Sequence, residues 1–173
     1  MPDIALRNAT PADAEPLLAI YHPFVTDTTV SFEVVPPSVD EFRARIQKAL
    51  NGWAWLVTEV EGVPVGYAYG SLHRAREAYK WSVEVSAYVH PAHHGKGLGR
   101  ALYGALLPRL AELGYCHAYA GITLPNEASV GFHQAMGFEE IGVFKSVGWK
   151  FGQWHDVGWW QLTIRDRPPL FEG

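Results

Sequence analysis

The sequence predicts a single α/β domain, and three observations support that class. The stretch from Trp81 to Leu113 reads as a strand, a glycine-containing loop and a helix. Around it, strand-like and helix-like segments alternate, about six to seven of the first kind and about four of the second. A chain of 173 residues is long enough for one large core and too short for two ordinary domains. We therefore place the domain at residues 3–166 and predict a loose tail at 167–173.

The central stretch shows two different apolar periodicities. Val83, Val85, Ala87 and Val89 fall on one side of a period-two ribbon, and Pro91 ends it because proline cannot donate to a strand ladder. Beyond the glycines, apolar residues recur on one helical face, namely Leu98, Leu102, Leu106, Leu110 and Leu113. The pattern predicts a strand over 81–89 and a helix that begins near residue 98.

Caps and turn residues place the other elements. Thr10 before a proline predicts the start of the first helix, which runs to Pro23. Ser38 predicts the start of the second helix, which ends at Asn51-Gly52. Glu61-Gly62 is typical of a hairpin turn. The predicted strands are 4–7, 53–60, 63–71, 81–89, 117–122, 138–149 and 154–164, and the last helix begins at Asn126.

Three glycines, Gly95, Gly97 and Gly99, precede the long helix. Glycines in this place let the backbone approach a ligand, and the start of a helix favours negative charge. A Walker loop does not fit because Lys96 precedes Gly97 and no Ser or Thr follows, and the glycine spacing does not fit a Rossmann fingerprint. A simple bend needs one glycine rather than three. The loop therefore favours a phosphate or pyrophosphate ligand.

The segment His94-Gly95-Lys96-Gly97-Leu98-Gly99 resembles the acetyl-CoA pyrophosphate loop of the GNAT N-acetyltransferase superfamily, Q/R-x-x-G-x-G/A. The resemblance covers nearly the whole chain and is closest to the phosphinothricin and methionine-sulfoximine acetyltransferases. It is also carried by A-R-E-A-Y-K-W (75–81), V-E-V-S-A-Y-V (83–89), L-P-N-E-A-S-V (124–130), H-Q-A-M-G-F (133–138) and K-F-G-Q-W-H-D-V-G-W-W-Q-L (150–162). His94 departs from the pattern, which has Gln or Arg there. Only a side-chain contact changes with it, because the backbone donors remain.

The resemblance implies a GNAT fold, with a mixed and mostly antiparallel central sheet flanked by helices, and acetyl-CoA as co-substrate. It implies that the backbone of Ala87, Tyr88 and Val89 pairs with the pantetheine arm like an added strand. The implied cofactor-binding residues continue with His94, Gly95, Lys96, Gly97, Leu98, Gly99, Arg100 and Asn126. Because Asn126 is also the predicted cap of the last helix, its two roles stay open.

Glu84 interrupts a strand that is otherwise apolar or small, and Glu is seldom buried without a reason. One reason is a structural salt bridge. The other is chemical, because an amine attacks a thioester only as the free base, and a carboxylate in a pocket attracts an ammonium ion and accepts its proton. Burial raises the pKa of such a carboxyl toward a useful range. The resemblance points to the same residue as general base.

The acceptor side is predicted from charged and hydroxyl side chains. Arg74 and Arg76 are either solvated surface arginines or a clamp for a carboxylate or phosphinate. Residues 26–33 are rich in hydroxyl groups and form either a surface turn or a pocket wall. With the resemblance, the expected substrate-binding residues are Arg74, Ala75, Arg76, Thr29, Phe32 and Lys150.

His133 stands where many GNAT enzymes have the tyrosine that protonates the departing CoA thiolate. An imidazolium can donate that proton, which makes His133 the candidate general acid, with simple packing near the sulfur as the alternative. Trp154-His155-Asp156 lacks a G-x-S-x-G elbow, so hydrolase chemistry is disfavoured. His93, His94 and His133 lack partners at metal-ligand spacing, so we expect no metal site.

Composition narrows the remaining classes of function and of cellular location. A net charge of −4 and a pI near 6.0 give no reason to expect nucleic acid. The sequence shows no signal peptide and no apolar run of membrane-spanning length. Cys116 is the single cysteine, which excludes an internal disulfide and suits a reducing cytoplasm. We also expect a homodimer.

Together these observations predict an enzyme that transfers acetyl from acetyl-CoA to the α-amine of a small amino-acid analogue. The attack would be direct, in a ternary complex, because no nucleophile is placed to form an acyl-enzyme. The alternatives are acetylation of another small amine or of a protein N-terminus, and an acyl-CoA-binding module without turnover. Such a module would need the glycine loop but not Glu84.

Overall fold

Seven strands form one mixed sheet in the computed structural model, which describes residues 3–170. The strands are β1 (Ile4–Asn8), β2 (Trp55–Val60), β3 (Val63–Leu72), β4 (Ser82–Val89), β5 (His117–Leu124), β6 (Glu139–Lys150) and β7 (Gln153–Thr163). The helices are α1 (Ala14–Thr26), α2 (Val39–Gly52), α3 (Leu98–Glu112) and α4 (Glu127–Ala135). The sheet order is β1-β2-β3-β4-β5-β7-β6, and only β4 and β5 pair in parallel. The predicted class, a mostly antiparallel sheet with helices, is confirmed.

Thr10 caps a 3-10 turn, Pro11–Asp13, that leads directly into α1, and Ser38 caps α2 as predicted. The Thr10 N–H donates to the Asp13 carboxylate over 2.7 Å, and Ser38 and Glu41 form a reciprocal capping box. Helix α1 does not end at Pro23, as predicted, but continues to Thr26. The Pro23 carbonyl still accepts from the N–H of the residue that follows the helix, so the proline interrupts the ladder on its N–H side only.

The two faces of the sheet pack against different helices. One face meets α3, where Val83 and Val85 pack with Leu102, Leu106 and Leu110. The other face meets α1 and α2 through an aromatic-rich core that contains Leu17, Phe42, Ile46, Trp55 and Tyr67. Because side chains alternate along a strand, Glu84 points away from α3, on the face that α1 and α2 cover near β1–β3.

Strands β4 and β5 pair only at their beginning. The register joins Ser82 to His117 and Glu84 to Tyr119, and β4 and β5 form no further pair with each other beyond these residues. Beyond that point β4 pairs only with β3, and β5 pairs only with β7. The backbone edge of residues 85–89 therefore faces a gap in the sheet rather than a neighbouring strand.

The end of the chain runs back across the molecule. Residues 164–170 form no helix or strand, and Pro169 lies so close to Gly114 that a Cβ there would be 2.8 Å from the proline ring. Residues 171–173 of the predicted tail lie outside the described residues. No helix within residues 3–170 is long and apolar enough to cross a membrane.

Candidate active site

A cleft opens where β4 and β5 separate, and we call it the gap cleft. Its walls include Ser86, Ala87 and Tyr88 of β4 and Gly121 and Thr123 of β5. Side chains from α3 and α4 close one end, namely Tyr103, Asn126, Ser129 and His133. Because the cleft passes between two strands, it reaches from the α3/α4 face of the sheet toward the opposite face. Ala87 and Tyr88 line it, and their strand has no β5 partner there, so the pairing with the pantetheine arm that the resemblance implies stays a prediction.

The glycine loop, residues 94–99, lies between β4 and α3. Gly95 and Gly97 have φ values of +73° and +78°, which glycine adopts readily, and no atom lies within 4 Å of a Cβ built on either residue. Within residues 3–170, the backbone N–H groups from Gly95 to Gly97 have no hydrogen-bond partner. The first N–H groups of α3 also lack intrahelical acceptors. The loop thus presents free donors in open space, which fits a pyrophosphate.

The other residues of the glycine loop and of the start of α3 differ in how exposed their side chains are. Leu98 is buried in the α3 core, so only its backbone is available to a ligand. Lys96 and Arg100 are exposed and add positive charge next to the free donors. The His94 ring nitrogen Nε2 lies 2.7 Å from the carbonyl oxygen of Val89. The side chain that departs from the family pattern therefore connects the loop to the end of β4.

His133 is 7% exposed and lies at the end of the gap cleft. Its Nδ1 is 2.8 Å from the Ser129 carbonyl, to which only a protonated Nδ1 can donate, and its Nε2 is 3.1 Å from the Tyr103 hydroxyl. Burial lowers the pKa of His133, although the bond to Ser129 opposes that shift. These contacts hold a neutral imidazole and weigh against an imidazolium donor. The general-acid assignment stays a prediction.

Asn126 performs the predicted capping role. Its Oδ1 accepts from the backbone N–H of Ser129 over 3.1 Å at the start of α4, and the residue also lines the gap cleft. The cap and the ligand role are therefore compatible in position.

Glu84 lies among basic and aromatic side chains on the opposite face. Its side chain is 26% exposed, and Oε1 is 3.4 Å from His73 Nδ1 and 3.5 Å from an Arg74 guanidinium nitrogen. Burial raises the pKa of Glu84, and Arg74 opposes that rise. Burial, and then the charge of Arg74, lower the pKa of His73, which keeps its ring neutral. Glu84 therefore has both a raised pKa and an ion pair with Arg74, and the ion pair is long and weak.

An open cavity of about 390 Å³ lies on this face, and we call it the acceptor cavity. It shares Val30, Tyr88, Gly121 and Thr123 with the gap cleft, so the two spaces meet through the sheet. Trp159 forms another part of its wall, and the Arg74 guanidinium lies 5.9 Å from the centre of that indole. Arg74 therefore lies next to the acceptor cavity, and Glu84, which lines neither space, contacts Arg74.

The predicted substrate-binding residues fall into two groups. Phe32 lines the acceptor cavity, and Arg74 borders it. Ala75 and Arg76 are exposed in the loop before β4 and lie in neither wall, and Thr29 is half-buried and also lies in neither wall. These three assignments stay predictions.

The structure places Lys150 below the surface, and its assignment to the substrate stays a prediction. Lys150 is 4% exposed, and its ammonium donates to the carbonyl oxygens of Val25 and Ser31, each over 2.7 Å. Burial also lowers its pKa. Two of the three N–H donors of the ammonium are therefore taken by backbone carbonyls below the surface. Its function is to fix the loop that forms one wall of the acceptor cavity.

Sequence reasoning missed three residues of the site, His73, Tyr103 and Trp159. The His73 ring stacks on Tyr119, with centroids 4.5 Å apart, and lies next to the Glu84 carboxylate. Its position directly before Arg74 was the available signal. Tyr103 belongs to α3 and Trp159 to β7. Only their strand and helix partners place them in the site.

Comparison with known proteins agrees with this geometry. A family profile described as acetyltransferase (GNAT) domain matches residues 6–159. The chain is 39% identical over 158 residues to phosphinothricin N-acetyltransferase of Streptomyces viridochromogenes, covering 91% of this chain and 86% of that protein. It is 35% identical to the L-methionine sulfoximine/L-methionine sulfone acetyltransferase of Salmonella typhimurium, covering 93% and 95% of the two chains.

Solved structures show the same fold. The phosphinothricin acetyltransferase of Sinorhizobium meliloti in complex with AcCoA superposes with a TM-score of 0.91 at 34% identity, covering 97% of this chain and 94% of that one. The ribosomal-protein-alanine N-acetyltransferase of Brucella melitensis gives 0.89 at 36% identity, covering 92% and 99%. The predicted resemblance and fold are confirmed, and the chain belongs to the acetyltransferase (GNAT) domain family.

Proposed function

We propose that this protein transfers acetyl from acetyl-CoA to the α-amine of a small amino-acid analogue such as phosphinothricin or methionine sulfoximine or sulfone. The observation that carries the proposal is the gap between β4 and β5. The unpaired edge of residues 85–89 precedes the loop of free backbone donors, and the gap opens into a cavity next to Arg74 and its half-buried partner Glu84. One opening can thus hold an anionic thioester carrier and an amino acid in contact.

On the donor side, the chain binds through its backbone. Residues 95–100 supply N–H groups to the pyrophosphate, with Lys96 and Arg100 beside them. The free edge of residues 85–89 supplies main-chain groups to the extended arm. Acetyl-CoA supplies the acetyl group as an activated thioester. A β4 N–H that faces the gap polarises the carbonyl that the amine attacks.

On the acceptor side, Glu84 performs the proton chemistry. The amino acid arrives mainly as an ammonium ion, and the carboxylate binds it and takes one proton, directly or through water. The raised pKa of Glu84 makes it a better base than a fully solvated carboxylate. The free amine then forms the new C–N bond, the C–S bond breaks, and CoA leaves as a thiolate that must gain a proton.

The transfer is proposed to be direct, because the one thiol of the chain is not placed to form an acyl-enzyme in the gap cleft. Cys116, the only cysteine of the sequence, is 3% exposed, and burial raises the pKa of its thiol. It lies at the start of β5 and does not line the gap cleft. The proposal is therefore a ternary complex of the protein, acetyl-CoA and the amine.

Substrate selection comes from the arginines. Arg74 contacts Glu84 and Trp159, which places its guanidinium between the ammonium site and the cavity. Arg76 is exposed and has no ion-pair partner among residues 3–170, so it is available for the second anionic group. Such a site accepts an amino acid with an anionic or strongly polar head and rejects polyamines and lysine side chains.

The test is kcat/KM for phosphinothricin, methionine sulfoximine, methionine sulfone, a polyamine and a peptide N-terminus, followed by release of the CoA thiol. We expect the three amino-acid analogues to be the best substrates. In Arg76→Ala the preference should fall by about 2–3 kcal/mol, the cost of losing a hydrogen bond between charged groups. Faster turnover of the polyamine or the peptide than of all three analogues contradicts the assignment.

Acetylation of a protein N-terminus is the second candidate, and the likeness to the Brucella melitensis ribosomal-protein-alanine N-acetyltransferase favours it. The peptide arm of the same assay distinguishes the two. A non-catalytic acyl-CoA-binding module would bind acetyl-CoA and release no thiol with any amine.

We also propose a homodimer, formed along the free edge of the sheet at β6. Four large apolar residues of this strand are each about half exposed, namely Ile141, Phe144, Val147 and Trp149. An unpaired edge with this composition favours association. Phe144 and Val147 also line the acceptor cavity, so a partner there would narrow it. We expect action in the cytoplasm, which suits a lone reduced cysteine.

A further inference from the structure

A second pocket lies between α2 and the β2–β3 hairpin, and we call it the aromatic pocket. It measures about 250 Å³, and its walls include Phe42, Trp53, Trp55, Tyr67 and Tyr69. None of these residues lines the gap cleft or the acceptor cavity. Protein interiors are packed as densely as organic crystals, so a space of this size is not an ordinary packing defect.

The walls are rigid and flat. The Trp55 indole stacks on Tyr69, with centroids 4.3 Å apart and planes 12° apart, and on Tyr67 at 5.2 Å and 18°. Phe42 meets Trp55 edge to face at 5.7 Å. An aromatic guest can stack on or meet such surfaces with little loss of side-chain freedom in the protein. The shape of the pocket therefore favours a small planar molecule.

Two indole N–H groups and one lysine of the pocket lack acceptors among the described residues. The indole N–H groups of Trp53 and Trp55 are buried without a hydrogen-bond partner within residues 3–170, and Trp55 is 2% exposed. Arg45 and Lys48 of α2 add two positive charges, and no acidic residue lines the pocket. Arg45 is paired with Glu33, whereas Lys48 has no ion pair with any residue of the described part. A guest with a hydrogen-bond acceptor and a negative charge satisfies these groups.

We propose that the aromatic pocket is a second binding site, for a small aromatic carboxylate. The ring occupies the space against Trp55 and Phe42, and the carboxylate faces Lys48. The site is separate from the acetyl-transfer site, although β3 connects them, because Tyr69 is paired with Ser86 and Ser71 with Glu84 across the β3–β4 ladder. The proposal does not depend on the substrate of the acetyl transfer.

The experiment is calorimetric titration of the full chain with phenylacetate. Phenethylamine, which has the same phenyl ring and the opposite charge, is the control ligand. We expect saturable binding of one phenylacetate and no binding of phenethylamine. Lys48→Glu should weaken phenylacetate binding about five-fold or more through charge reversal at the rim. Arg43→Glu, on the same helix and outside the pocket, should leave it unchanged. Both side chains lie on the surface of α2, and thermal unfolding checks that both variants fold.

Two further measurements distinguish this site from the proposed acetyl-transfer site. Trp53→Phe, which removes one unpaired N–H, should also weaken binding, and Glu84→Gln should not. Saturating acetyl-CoA and phosphinothricin should leave phenylacetate bound. Absence of saturable binding, equal binding by Lys48→Glu and the wild type, or displacement of phenylacetate by phosphinothricin overturns the proposal. None of these outcomes depends on whether phosphinothricin is acetylated.

Discussion

The two sides of the gap cleft present different kinds of chemical groups. The donor side consists of backbone groups, with left-handed glycines at 95 and 97 and the unpaired edge of residues 85–89. The acceptor side consists of charged and aromatic side chains. There the Glu84 carboxylate lies 3.4 Å from His73 and 3.5 Å from Arg74. The far wall of this side is a loop fixed by Lys150.

This difference predicts two kinds of sensitivity. The donor side depends on open space and free N–H groups, so it tolerates most changes of side chain but not the addition of a Cβ at a left-handed glycine. The acceptor side depends on the charge and pKa of a few groups, so conservative changes that keep the shape should abolish the chemistry. Substitutions on each side should therefore alter different kinetic constants.

The largest effect is expected for Glu84→Gln. The amide keeps the size of the side chain but cannot take a proton, so kcat should fall by ~10²-fold or more while the Kd of acetyl-CoA changes little. The acidic limb of the pH–rate profile should also flatten. Steady-state kinetics and calorimetry measure both quantities.

Glu77→Gln is the matched control, because Glu77 is exposed and pairs only with Lys80 across one turn. We expect wild-type kinetics from it. A Glu84→Gln variant with normal kcat and an unchanged acidic limb would assign Glu84 to the structure alone.

Next in size is Gly97→Val. The residue has a φ of +78° at the start of α3, and a valine side chain there would occupy the space that the pyrophosphate needs. The Kd of acetyl-CoA should rise at least several-fold. Gly104→Ala, inside α3 and also without neighbours around its Cβ, should bind acetyl-CoA normally. Unchanged affinity in a folded Gly97→Val protein, read by calorimetry, means that the glycine loop is structural.

The smallest change is expected for Arg74→Gln, and it is a shift in pH dependence. Burial raises the pKa of Glu84 and Arg74 lowers it, so removal of the arginine leaves the pKa higher. Since the base must be deprotonated, the acidic limb of kcat/KM should move to higher pH. Arg76→Gln, which does not contact Glu84, should lower kcat/KM without moving the limb. A shift of the limb to lower pH in Arg74→Gln contradicts this account of the Glu84 environment.

The donor side could be predicted from the sequence almost residue by residue. A glycine signal is local, because glycines before a helix permit left-handed backbone conformations wherever the rest of the chain lies. The Asn126 cap and the strand alternation around Glu84 are local for the same reason, and the structure contains both. The side chain of His94 was the exception, since its contact with Val89 requires the folded loop.

The acceptor side could be predicted only in part, because its contacts join distant segments. Lys150 reaches Ser31 across 119 positions, and a lysine near a predicted substrate site looks the same in sequence whether it is buried or free. His73 becomes significant only when β4 and β5 place Glu84 and Tyr119 side by side. The contact of His133 with Tyr103 likewise joins two helices that are distant in sequence.

The central claim is that acetyl passes directly through the gap from the donor side to the amine. Intact-protein mass spectrometry after incubation with acetyl-CoA alone, and again after addition of phosphinothricin, tests it. We expect unmodified protein in both samples and acetylated amine only in the second. A protein that gains one acetyl group in the absence of amine, and loses it to phosphinothricin on mixing, would contradict direct transfer.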